Sequence, residues 1–585
     1  LLGATVIAVA AFAPIGLSSH ATGEFAGSMF WVLLISLLLS WLTAITLTPF
    51  FADLMFKEQE TKSQNDNDEA LYKGAIFSAY QSLLDLCMRH RVKTMLLMVV
   101  LFISAVLGMG LVKQSFFPAS NTPMFYLDYW RVQGSDIRET QKDMERIQTY
   151  LSKHEKVEQV TATTGRGAPR FMLTYTPEKS YGAYGQLIIR VEDREAINPV
   201  IKDLRNHLQG NYPQAEFKIK RMEIGPSTDA KIEARFSGPN PNVLRRLASE
   251  TMQVLQQESG AHNIRHDWRQ RTKVIRPQFD EAMGRRVGIS KQDLDQLLLT
   301  SFSGQQVGLY RDGTQLLPIM ARPPENERLN VDSLPDLQIY SQVAQKYVPI
   351  TQVINGFDTD WEDSLIMRRD RKRTITVKAD HDVLGDETPA SVFNRVRGEI
   401  EAIKLPAGYH MEWGGEFESA SDAQAALFGG LPMGYLVMFA ITVLLFNSLK
   451  TPLVIWATVP LAVIGVAFGL LVVQAPFSFM ALLGMLSLTG MLIKNGIVLA
   501  DQIGLEMESG KEPYVAVFHS AVSRMRPVAM AAITTILGMI PLLFDAFFIS
   551  MAVTIMFGLA FATILTLIVV PVLYTLVYKI PYQAR

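Results

Sequence analysis

The sequence predicts an α-helical membrane bundle combined with one large α+β domain outside the membrane. Charged residues make up 19% of the 585-residue chain, yet long apolar runs contain almost none of them. Lys and Arg near the ends of these runs fall on alternate sides, as they do in multi-pass membrane proteins. Between two of the runs a strand–helix–strand pattern occurs four times, which predicts a repeated α+β architecture.

Eight apolar runs are candidates for membrane helices, because a hydrocarbon core about 30 Å thick needs about 20 apolar residues. The runs cover residues 1–14, 26–51, 94–112, 427–446, 451–473, 478–503, 527–544 and 549–578. The first run begins at Leu1, with neither an initiator Met nor the basic flank of a signal peptide. We therefore expect this run to be a shortened helix and the chain to be a fragment.

The short connections between the runs predict the orientation. Residues 15–25, 474–477 and 545–548 contain no Lys or Arg, whereas every connection on the alternate side contains Lys and most also contain Arg. Lys and Arg are enriched on the cytoplasmic side of membranes, so the basic connections are predicted to be cytoplasmic. Residues 113–426 then lie on the outer face as one continuous block.

Composition argues against several classes of function. The chain has 55 Lys and Arg against 56 Asp and Glu, and this formal net charge of -1 argues against nucleic acid as a partner. The single cysteine, Cys87, excludes an intrachain disulfide and any cysteine-rich metal site. No paired catalytic His, Ser or Cys motif is present, so we expect neither an enzyme nor a bound cofactor or resident metal.

The outer block consists of four strand–helix–strand units. Turns with cap-forming residues, 134–136 and 238–240, precede the helices of the first and third units. Two units combine into one ferredoxin-like split βαβ subdomain, so the four units predict two subdomains. The predicted elements are 125–132, 137–152 and 157–163; 186–191, 197–208 and 215–220; 231–236, 243–258 and 262–268; and 373–379, 390–403 and 409–414.

Two further segments lie outside the repeats and the apolar runs. Residues 272–372 interrupt the second subdomain and contain strands of their own, a helix near 291–300 and the Pro-rich stretch 321–324. We expect a contact module there, with a decorated loop that has no partner as the alternative. On the cytoplasmic side, the charged stretch 57–73 predicts a flexible tether, and 75–87 predicts a helix along the membrane surface.

One apolar run contains a charge at depth. Lys494 lies in the stretch GMLIKNGIVLAD, about 13 Å from the cytoplasmic end of its run at 1.5 Å per residue. A charge at such depth costs at least ~2.5 kcal/mol and usually lines an ion or proton pathway. We expect its carboxylate partner on a missing N-terminal part or another subunit. Asn495, Thr534 and Thr535 could add hydrogen bonds, although threonines in membrane helices often bond their own backbone.

Three features together link the sequence to a known family. They are the stretch around Lys494, the sequence RMRPVAMAAITTILGMIPL at Arg524–Leu542, and the four-unit repeat with its insertion. On these features the chain resembles the C-terminal half of a resistance-nodulation-division (RND) efflux transporter, AcrB-like and of the amphiphile branch. The resemblance implies transmembrane helices five and six at 1–56, a cytoplasmic linker and surface helix at 57–93, a transmembrane helix at 94–112, porter subdomains at 113–226 and at 227–271 with 373–426, a docking subdomain at 272–372, and five transmembrane helices at 427–585.

The resemblance implies a homotrimeric, proton-driven antiporter of the bacterial inner membrane with a large periplasmic domain. Such a pump works with a periplasmic adaptor and an outer-membrane channel to expel amphiphiles, and it confers multidrug resistance. In the family a Lys–Asn pair faces two aspartates, and polar residues on the next helix complete the relay. Lys494, Asn495 and Arg524 match these positions, while Ala531 replaces a family threonine and leaves Thr534 and Thr535 as substitutes. The aspartate helix has no counterpart in this sequence, so the chain alone is not expected to pump.

The family also suggests residues that line the substrate pocket. Phe171 and Tyr175 follow a stretch that matches the family's flexible switch loop, although ordinary strand packing would also explain them. The heavy-metal branch binds Cu(I) or Ag(I) through three methionines, and Met172 and Met222 fall near two of those positions. The third position holds Leu127, with Met124 close in sequence.

The expected cargo is therefore an amphiphile, with Cu(I) or Ag(I) as the alternative. A protein- or lipid-exporting member of the superfamily would share both the fold and the relay. A membrane-anchored receptor or enzyme, which belongs to another class of protein, would need no lysine inside the membrane.

Overall fold

The computed structural model describes residues 2–18, 21–55, 74–225, 228–328 and 331–583. The chain divides into a larger unit, Leu1–Asp267 with Met367–Arg585, and a smaller unit, Trp268–Ile366. The predicted tether at 57–73 lies outside the described residues.

Four helices open the larger unit. They are α1 (Leu2–Gly16), α2 (Ala21–Met55), α3 (Ala75–Arg89) and α4 (Arg91–Met109). Helix α3 is amphipathic, and its Leu84 and Met88 are fully buried against helices from the C-terminal part of the chain. One face of the predicted surface helix is thus part of the helical core.

The first α/β subdomain follows and contains two strand–helix–strand units. Its elements are β1 (Met124–Trp130), α5 (Ile137–Leu151), β2 (Val157–Thr164), β3 (Tyr184–Val191), α6 (Ile197–Asn211) and β4 (Glu216–Arg221). The strands form an antiparallel sheet in the order β2-β3-β1-β4. Asp136 caps α5, because its carboxylate accepts the Arg138 N–H at 2.9 Å. The predicted helix start is confirmed at this position.

The second subdomain begins with β5 (Ile232–Ser237), α7 (Pro241–Gln257) and β6 (Ala261–His266). Asn240 caps α7 by accepting the Asn242 N–H at 2.9 Å, and Pro241 occupies the first turn, where a missing N–H is harmless. This cap also confirms the helix start predicted from the turn.

The chain then forms the smaller unit, whose described residues (268–328 and 331–366) contain short helices and three two-stranded sheets. Its named elements are β7 (Thr272–Phe279), α8 (Glu281–Val287), α9 (Lys291–Leu298), β8 (Gln305–Asp312), β9 (Gln315–Ala321), α10 (Glu325–Arg328), β10 (Gln338–Ser341), β11 (Lys346–Pro349) and β12 (Ile354–Glu362). The sheets pair β7 with β12, β8 with β9 and β10 with β11. Ser290 and Asp293 form a capping box at the start of α9.

The second subdomain resumes after the smaller unit. Its remaining elements are β13 (Arg368–Arg369), β14 (Lys372–His381), α11 (Pro389–Glu401) and β15 (His410–Gly414). Strand β14 pairs with β5 and β6, and β15 pairs with β5, which gives the order β6-β14-β5-β15. This order repeats that of the first subdomain, as expected for two split βαβ folds.

The C-terminal part of the larger unit is helical. It contains α12 (Gly415–Phe446), α13 (Lys450–Trp456), α14 (Ala462–Val473), α15 (Phe479–Glu508), α16 (Pro513–Met539) and α17 (Ile549–Val577). Among the residues that the structure describes, seven helices are long and apolar enough to cross a membrane, with α13 and α14 counted as one span; α1 is a shorter apolar helix.

Two of these helices begin well before the predicted runs. Helix α12 begins at Gly415 rather than near 427, and α16 begins at Pro513 rather than near 527. A search for charge-free runs misses polar turns that continue a helix beyond its apolar part. Burial is also uneven, because 67% of the apolar span is buried in α15 and α17 but only 6% in α2 and 11% in α16. Helices α2 and α16 therefore present large uncovered apolar faces.

Candidate functional site

Lys494 lies at the middle of α15 and is exposed. Residues on either side of it, Leu492, Ile493 and Gly496, are buried against neighbouring helices. Close helix packing surrounds the position, since a Cβ at Gly496 would lie 2.8 Å from the Ile455 side chain. No carboxylate in the described part of the chain forms an ion pair with Lys494. The lysine is thus held on a rigid helix with its side chain on the uncovered face.

The uncovered face of α15 forms a stripe along the helix. Ser487, Met491, Lys494, Val498 and Asp501 are all partly or fully exposed, at the three- and four-residue spacing of one helical face. Exposure of a lysine at the centre of an apolar helix to lipid has a large free-energy cost. The stripe therefore has the character of a contact face for another protein segment.

The other predicted relay residues have mixed surroundings. Thr534 and Thr535 donate to backbone carbonyls of their own helix, Met530 and Ala531, at 2.9 Å. Asn495 is half-buried beside Lys494. Neither Thr534 nor Thr535 forms a described hydrogen bond with Lys494. Their assignment to the relay stays a prediction.

Arg524 has a partner that the sequence did not reveal. Its guanidinium donates to the side-chain oxygen of Gln502 on α15. Gln502 in turn donates to Glu506 at 3.1 Å, and His519 Nδ1 lies 2.8 Å from the same carboxylate. The Arg524 Nε atom is buried and has no hydrogen-bond partner among the described residues. A polar chain thus joins α15 and α16 at their predicted cytoplasmic ends.

A second site lies on the exterior domain, on the sheet face that the helices of the first subdomain leave free. Successive residues of a strand point to opposite faces. Phe125 and Leu127 pack into the core beneath α5 and α6, so Tyr126 and Asp128 lie on the opposite face. A cleft of about 360 Å³ runs along this face. It is lined by Tyr126, Asp128, Tyr175, Glu178, Tyr184, Gln186, Lys218, Lys220, Asp229, Asp267 and Lys378, among others.

A hydrogen-bond chain fixes the aromatic wall of this cleft. Tyr175 donates its phenol proton to Gln186 Oε1 at 2.8 Å, and Gln186 Nε2 donates to Asp128 at 2.8 Å. Tyr184 also donates to Asp128, at 2.7 Å. Burial raises the pKa of Tyr175 and of Tyr184, so both phenols remain protonated donors.

Three methionines pack beside the same wall. Met222 is buried with Tyr126 and Tyr175, and the partly buried Met124 and Met172 pack against these residues. Tyr126 and Tyr175 are shared by this cluster and the cleft. Phe171 contacts Tyr175, with ring centroids 4.6 Å apart, but 42% of it is exposed and it does not line the cleft. Phe171 thus lies outside the lining of this cleft, and its place in the substrate pocket stays a prediction.

Charged groups lie on the other side of the cleft. Asp229 pairs with Lys218 at 3.0 Å and with Lys378 at 2.7 Å, which links the two subdomains through opposite charges. Arg265 lies 3.6 Å from both Asp229 and Asp380. The charges of the cleft are thus largely satisfied internally, as buried charges must be.

A buried ion triad lies between the exterior domain and the helices. Lys231 forms ion pairs with Glu223 at 2.8 Å and with Glu416 at 3.0 Å, and all three side chains are at most 13% exposed. Burial opposes the charge of Glu223, but Lys231 and Lys220 lower its pKa to about 2. Burial likewise opposes the charge of Lys231, and the two carboxylates raise its pKa above the usual range. Glu223 and Lys231 are therefore both charged at neutral pH.

The sequence analysis missed the charged residues of the cleft, but the two-residue alternation of β-strands could have indicated some of them. Lys218 and Lys220 alternate along β4, and Met222 follows directly after that strand. The alternation of Met124, Tyr126 and Asp128 in β1 places these three on one face. A strand with charged residues on one face and apolar residues on the other predicts a polar interface rather than a solvent surface. The ion pair between Lys231 and Glu416 could not be predicted from strand alternation, because the two residues are distant in the chain.

Comparison with known proteins gives consistent matches. Residues 1–578 match the AcrB/AcrD/AcrF family. The chain is 23% identical over 603 residues to the cobalt-zinc-cadmium resistance protein CzcA of Cupriavidus metallidurans, a match that covers 99% of this chain and 55% of CzcA. It is 22% identical over 591 residues to the swarming motility protein SwrC of Bacillus subtilis, covering 99% of this chain and 54% of SwrC.

Two further comparisons concern metal-related proteins. The nickel and cobalt resistance protein CnrA of Cupriavidus metallidurans is 27% identical over 403 residues, which is 67% of this chain and 36% of CnrA. The crystal structure of a heavy metal efflux pump superposes with a TM-score of 0.80 at 20% identity, covering 98% of this chain and 58% of that one. The chain spans about half the length of the curated relatives it matches.

The bundle of apolar helices and the repeated split βαβ exterior domain define a multi-pass membrane protein with a large α+β domain. The family match over residues 1–578 is specific: the chain belongs to the AcrB/AcrD/AcrF family of RND transporters. The predicted family is confirmed. Members of this family are secondary active transporters rather than enzymes, and the chain is a multi-pass inner-membrane protein with a large periplasmic domain.

Proposed function

We propose that this chain belongs to a proton-driven efflux pump whose cargo is a soft heavy-metal cation, Cu(I) or Ag(I). The observation that supports this cargo is the packing of Met124, Met172 and Met222 in one cluster beside the cleft. Thioether sulfur is a soft ligand that suits these ions. Within the described part of the chain, no group of three His, Cys, Asp or Glu side chains could hold a harder metal ion.

The comparisons favour a metal over an amphiphile. CzcA and CnrA are named for resistance to metals, and the superposed crystal structure is that of a heavy metal efflux pump. The amphiphile expectation rested on Leu127 at the third methionine position and on the resemblance of the Lys494–Asn495 pair to the drug branch. The Lys–Asn pair concerns the energy source and not the cargo. The metal alternative therefore replaces the amphiphile as the main proposal.

The energy source of the proposed pump is the proton gradient, acting through Lys494. Its ammonium group is exposed on the uncovered stripe of α15, where a segment bearing carboxylates would pair with it. Protonation of those carboxylates would remove the attraction and release the lysine and its helix. Arg524, with its unsatisfied buried Nε, would complete the polar pathway.

The assembly expected from the family is also a proposal for this chain. We expect a homotrimer embedded in the inner membrane, joined to a periplasmic adaptor and an outer-membrane channel. The smaller unit, Trp268–Ile366, is our candidate for the contact with these partners, because it is a compact insertion between two strands of the second subdomain.

The cargo assignment is tested by the triple substitution Met124→Leu/Met172→Leu/Met222→Leu in the transporter that contains this chain. Leu preserves volume and apolarity but removes the sulfur ligands, so folding should change little. We expect loss of silver and copper tolerance in cells, with unchanged tolerance to dyes. Met144→Leu is the matched control, since Met144 lies on α5 and is buried against the other face of the sheet. Wild-type silver tolerance in the triple variant would refute the proposal.

An amphiphile remains the second candidate, and one cavity favours it. A space of about 280 Å³ at the base of the exterior domain is lined by Phe116, Phe393, Phe417, Phe477 and Phe479. Such an apolar, aromatic lining suits a detergent or dye. If Phe171→Ala/Tyr175→Ala or Phe417→Ala narrows dye tolerance while the methionine variant leaves silver tolerance intact, the amphiphile is the cargo.

A further inference from the structure

The joint between α3 and α4, residues 89–93, forms a sharply defined elbow. One residue, His90, separates the two helices, and its backbone is not helical, with φ −111° and ψ 48°. The buried Thr94 hydroxyl of α4 donates to the Cys87 carbonyl of α3 at 3.1 Å. A hydrogen bond thus ties the two helices together across the break.

The elbow lies at the cytoplasmic end of α4. The chain leaves the other end of this apolar helix towards the periplasmic domain, so the end at the elbow faces the cytoplasm. Met88 of α3 belongs to a buried cluster with Val517 of α16, and Met98 of α4 belongs to one with Val569 of α17. Packing therefore holds both arms of the elbow against the helical core.

The charged side chains of the elbow are all basic. Arg89, Arg91 and Lys93 lie within five residues, and the chain contains no Asp or Glu between Asp85 and Asp128. Arg89 and Lys93 are exposed, and neither forms an ion pair with a residue that the structure describes. The elbow therefore presents positive charge at the membrane surface.

The remaining charged groups beside the elbow have partners in the fold. Asp85 is half-buried, and its carboxylate accepts hydrogen bonds from Tyr514 at 3.4 Å and from Tyr582 at 3.2 Å. Arg91 donates through Nε to the Met88 carbonyl at 3.0 Å and through Nη1 to the Ile580 carbonyl at 2.6 Å. Arg91 thus fixes the elbow and the C-terminal tail, and the exposed Arg89 and Lys93 are left to bind a ligand.

An exposed apolar stripe on α3 leads to the elbow. Ile76, Leu83 and Leu86 are exposed, and their spacing of seven and three residues places them on one side of the helix. Leu86 lies one helical turn before the elbow. The opposite face of α3 carries the buried Leu84, so this helix has apolar groups on two sides.

A second exposed stripe runs along α4 and begins at Lys93. Leu96, Leu97 and Val100 lie three, four and seven residues after Lys93, which places all four on one helical face. Helix α4 crosses the membrane, so its exposed apolar side chains lie within the hydrocarbon core. The basic residues are therefore placed at the level of the lipid headgroups, with apolar surface directly beside them.

A phospholipid with a negatively charged headgroup matches this arrangement. Its phosphate accepts charge-assisted hydrogen bonds from Arg and Lys, and its acyl chains cover apolar side chains. Basic clusters beside membrane helices on the cytoplasmic side bind such headgroups. A soluble phosphate would match the charges but would leave both apolar stripes uncovered.

We propose that the α3–α4 elbow is a binding site for an anionic phospholipid of the cytoplasmic leaflet. The headgroup phosphate pairs with Arg89 and Lys93, and the acyl chains pack against Leu96, Leu97 and Val100. Phosphatidylglycerol has the required headgroup charge. The site depends neither on the identity of the cargo nor on the proton relay, because it lies on helices that contain none of the residues assigned to them.

The site is tested by native mass spectrometry of the assembled transporter in detergent, freed of co-purified lipid and titrated separately with phosphatidylglycerol and phosphatidylcholine. We expect the wild type to bind phosphatidylglycerol at least about tenfold more tightly. A basic residue near the membrane surface contributes about fivefold to the affinity for an anionic lipid. Arg89→Gln/Lys93→Gln should therefore raise the dissociation constant of phosphatidylglycerol about 25-fold and leave that of phosphatidylcholine unchanged. Lys153→Gln/Lys156→Gln, at exposed positions of the exterior domain, is the control.

Two further measurements separate a lipid from a soluble anion. Leu97→Gln/Val100→Gln retains the charges and interrupts the apolar stripe, so it should weaken the binding of both lipids. Glycerol 3-phosphate carries the phosphate without acyl chains and should not compete with phosphatidylglycerol; effective competition would overturn the lipid assignment.

Two results of the lipid titrations would also overturn the inference. One is a wild-type protein without preference for phosphatidylglycerol, as expected if the acidic residues within 58–69 or another protein segment cover the elbow. The other is a preference that persists in Arg89→Gln/Lys93→Gln. Variants are compared only if they assemble like the wild type in size-exclusion chromatography. If the double variant fails to assemble, Arg89→Gln and Lys93→Gln are measured singly, each with an expected loss of about fivefold.

Discussion

Substitution of Glu223 by Gln gives the sharpest stability prediction. The carboxylate lies 2.8 Å from the Lys231 ammonium group, and its side chain is only 13% exposed. Its pKa is lowered from 4.5 to about 2. At 1.36 kcal/mol per pKa unit, this lowering corresponds to about 3 kcal/mol of stabilisation at neutral pH. Glu223→Gln should therefore destabilise the exterior domain by about 3 kcal/mol at pH 7.

The pH dependence provides the stronger test of this prediction. A carboxyl group whose pKa is lower in the folded state stabilises the fold above its unfolded pKa, and that stabilisation is lost as the pH falls through the folded value. The wild-type advantage should thus be complete at pH 7, begin to shrink near pH 4.5 and nearly vanish at pH 2. The Gln variant has no carboxyl group at this position, so its stability should not contain this component.

Urea titration of the purified transporter, followed by tryptophan fluorescence at pH 7, pH 4 and pH 3, measures the difference. Glu139→Gln is the matched control, because Glu139 pairs with Lys142 at 2.7 Å on the exposed surface of α5. That variant should shift the urea midpoint little at any pH. An equal loss of stability in both variants, or a Glu223→Gln difference that does not change with pH, would refute the reasoning.

The remaining predictions concern the relay and the insertion. Lys494→Ala should abolish export while expression and trimer assembly persist, because the substitution removes a charge and no packing group. Lys142→Ala, at an exposed ion pair, is the control. Normal metal tolerance in Lys494→Ala would contradict the relay. Replacement of Trp268–Ile366 by a short glycine linker should leave both subdomains folded, since β5, β6, β14 and β15 all lie outside it. The same variant should lose co-purification with the outer-membrane partner, and an unfolded exterior domain by circular dichroism would show that the insertion is a structural core instead.

Local elements of the fold could be predicted well from the sequence. The strand–helix–strand units emerged because apolar periodicity changes between two and about four residues, and because Asp136 and Asn240 mark helix starts. Helix ends were less accurate. Helix α16 begins at Pro513, before its apolar run, since polar residues continue the helix while the run search requires their absence.

Some site residues can be recognised from their neighbours in the sequence, whereas others are brought together only by the fold. Lys494 can be recognised from the sequence because it is a charged residue within a long apolar run. Its uncovered stripe follows from which helices pack around α15, and these come from both ends of the chain. The grouping of Met124 with Met172 and Met222 depends on the order of strands in the sheet and on the path of the loop before β3. The Lys231–Glu416 pair likewise requires the tertiary structure.

The cargo is harder to predict from the sequence than the family is. The residues around Lys494 that identify the family belong to the helix proposed to couple transport to the proton gradient. The stretch around Lys494 identifies an RND transporter but does not contact the exterior cleft. Met124 lies two residues from Tyr126, so strand alternation alone places Met124 and Tyr126 on the same strand face. Knowledge that β1 is the neighbour of β4 was needed to bring Met222 to that face.

The central claim is proton-driven export of a soft cation through the methionine cluster. It is tested most directly by silver-ion flux in proteoliposomes that hold the assembled transporter, with and without an imposed proton gradient. The account predicts silver transport that requires the gradient and is lost both in Met124→Leu/Met172→Leu/Met222→Leu and in Lys494→Ala, while Met144→Leu transports normally. Silver transport that persists in the triple methionine variant, or that proceeds equally without the gradient, would contradict the account.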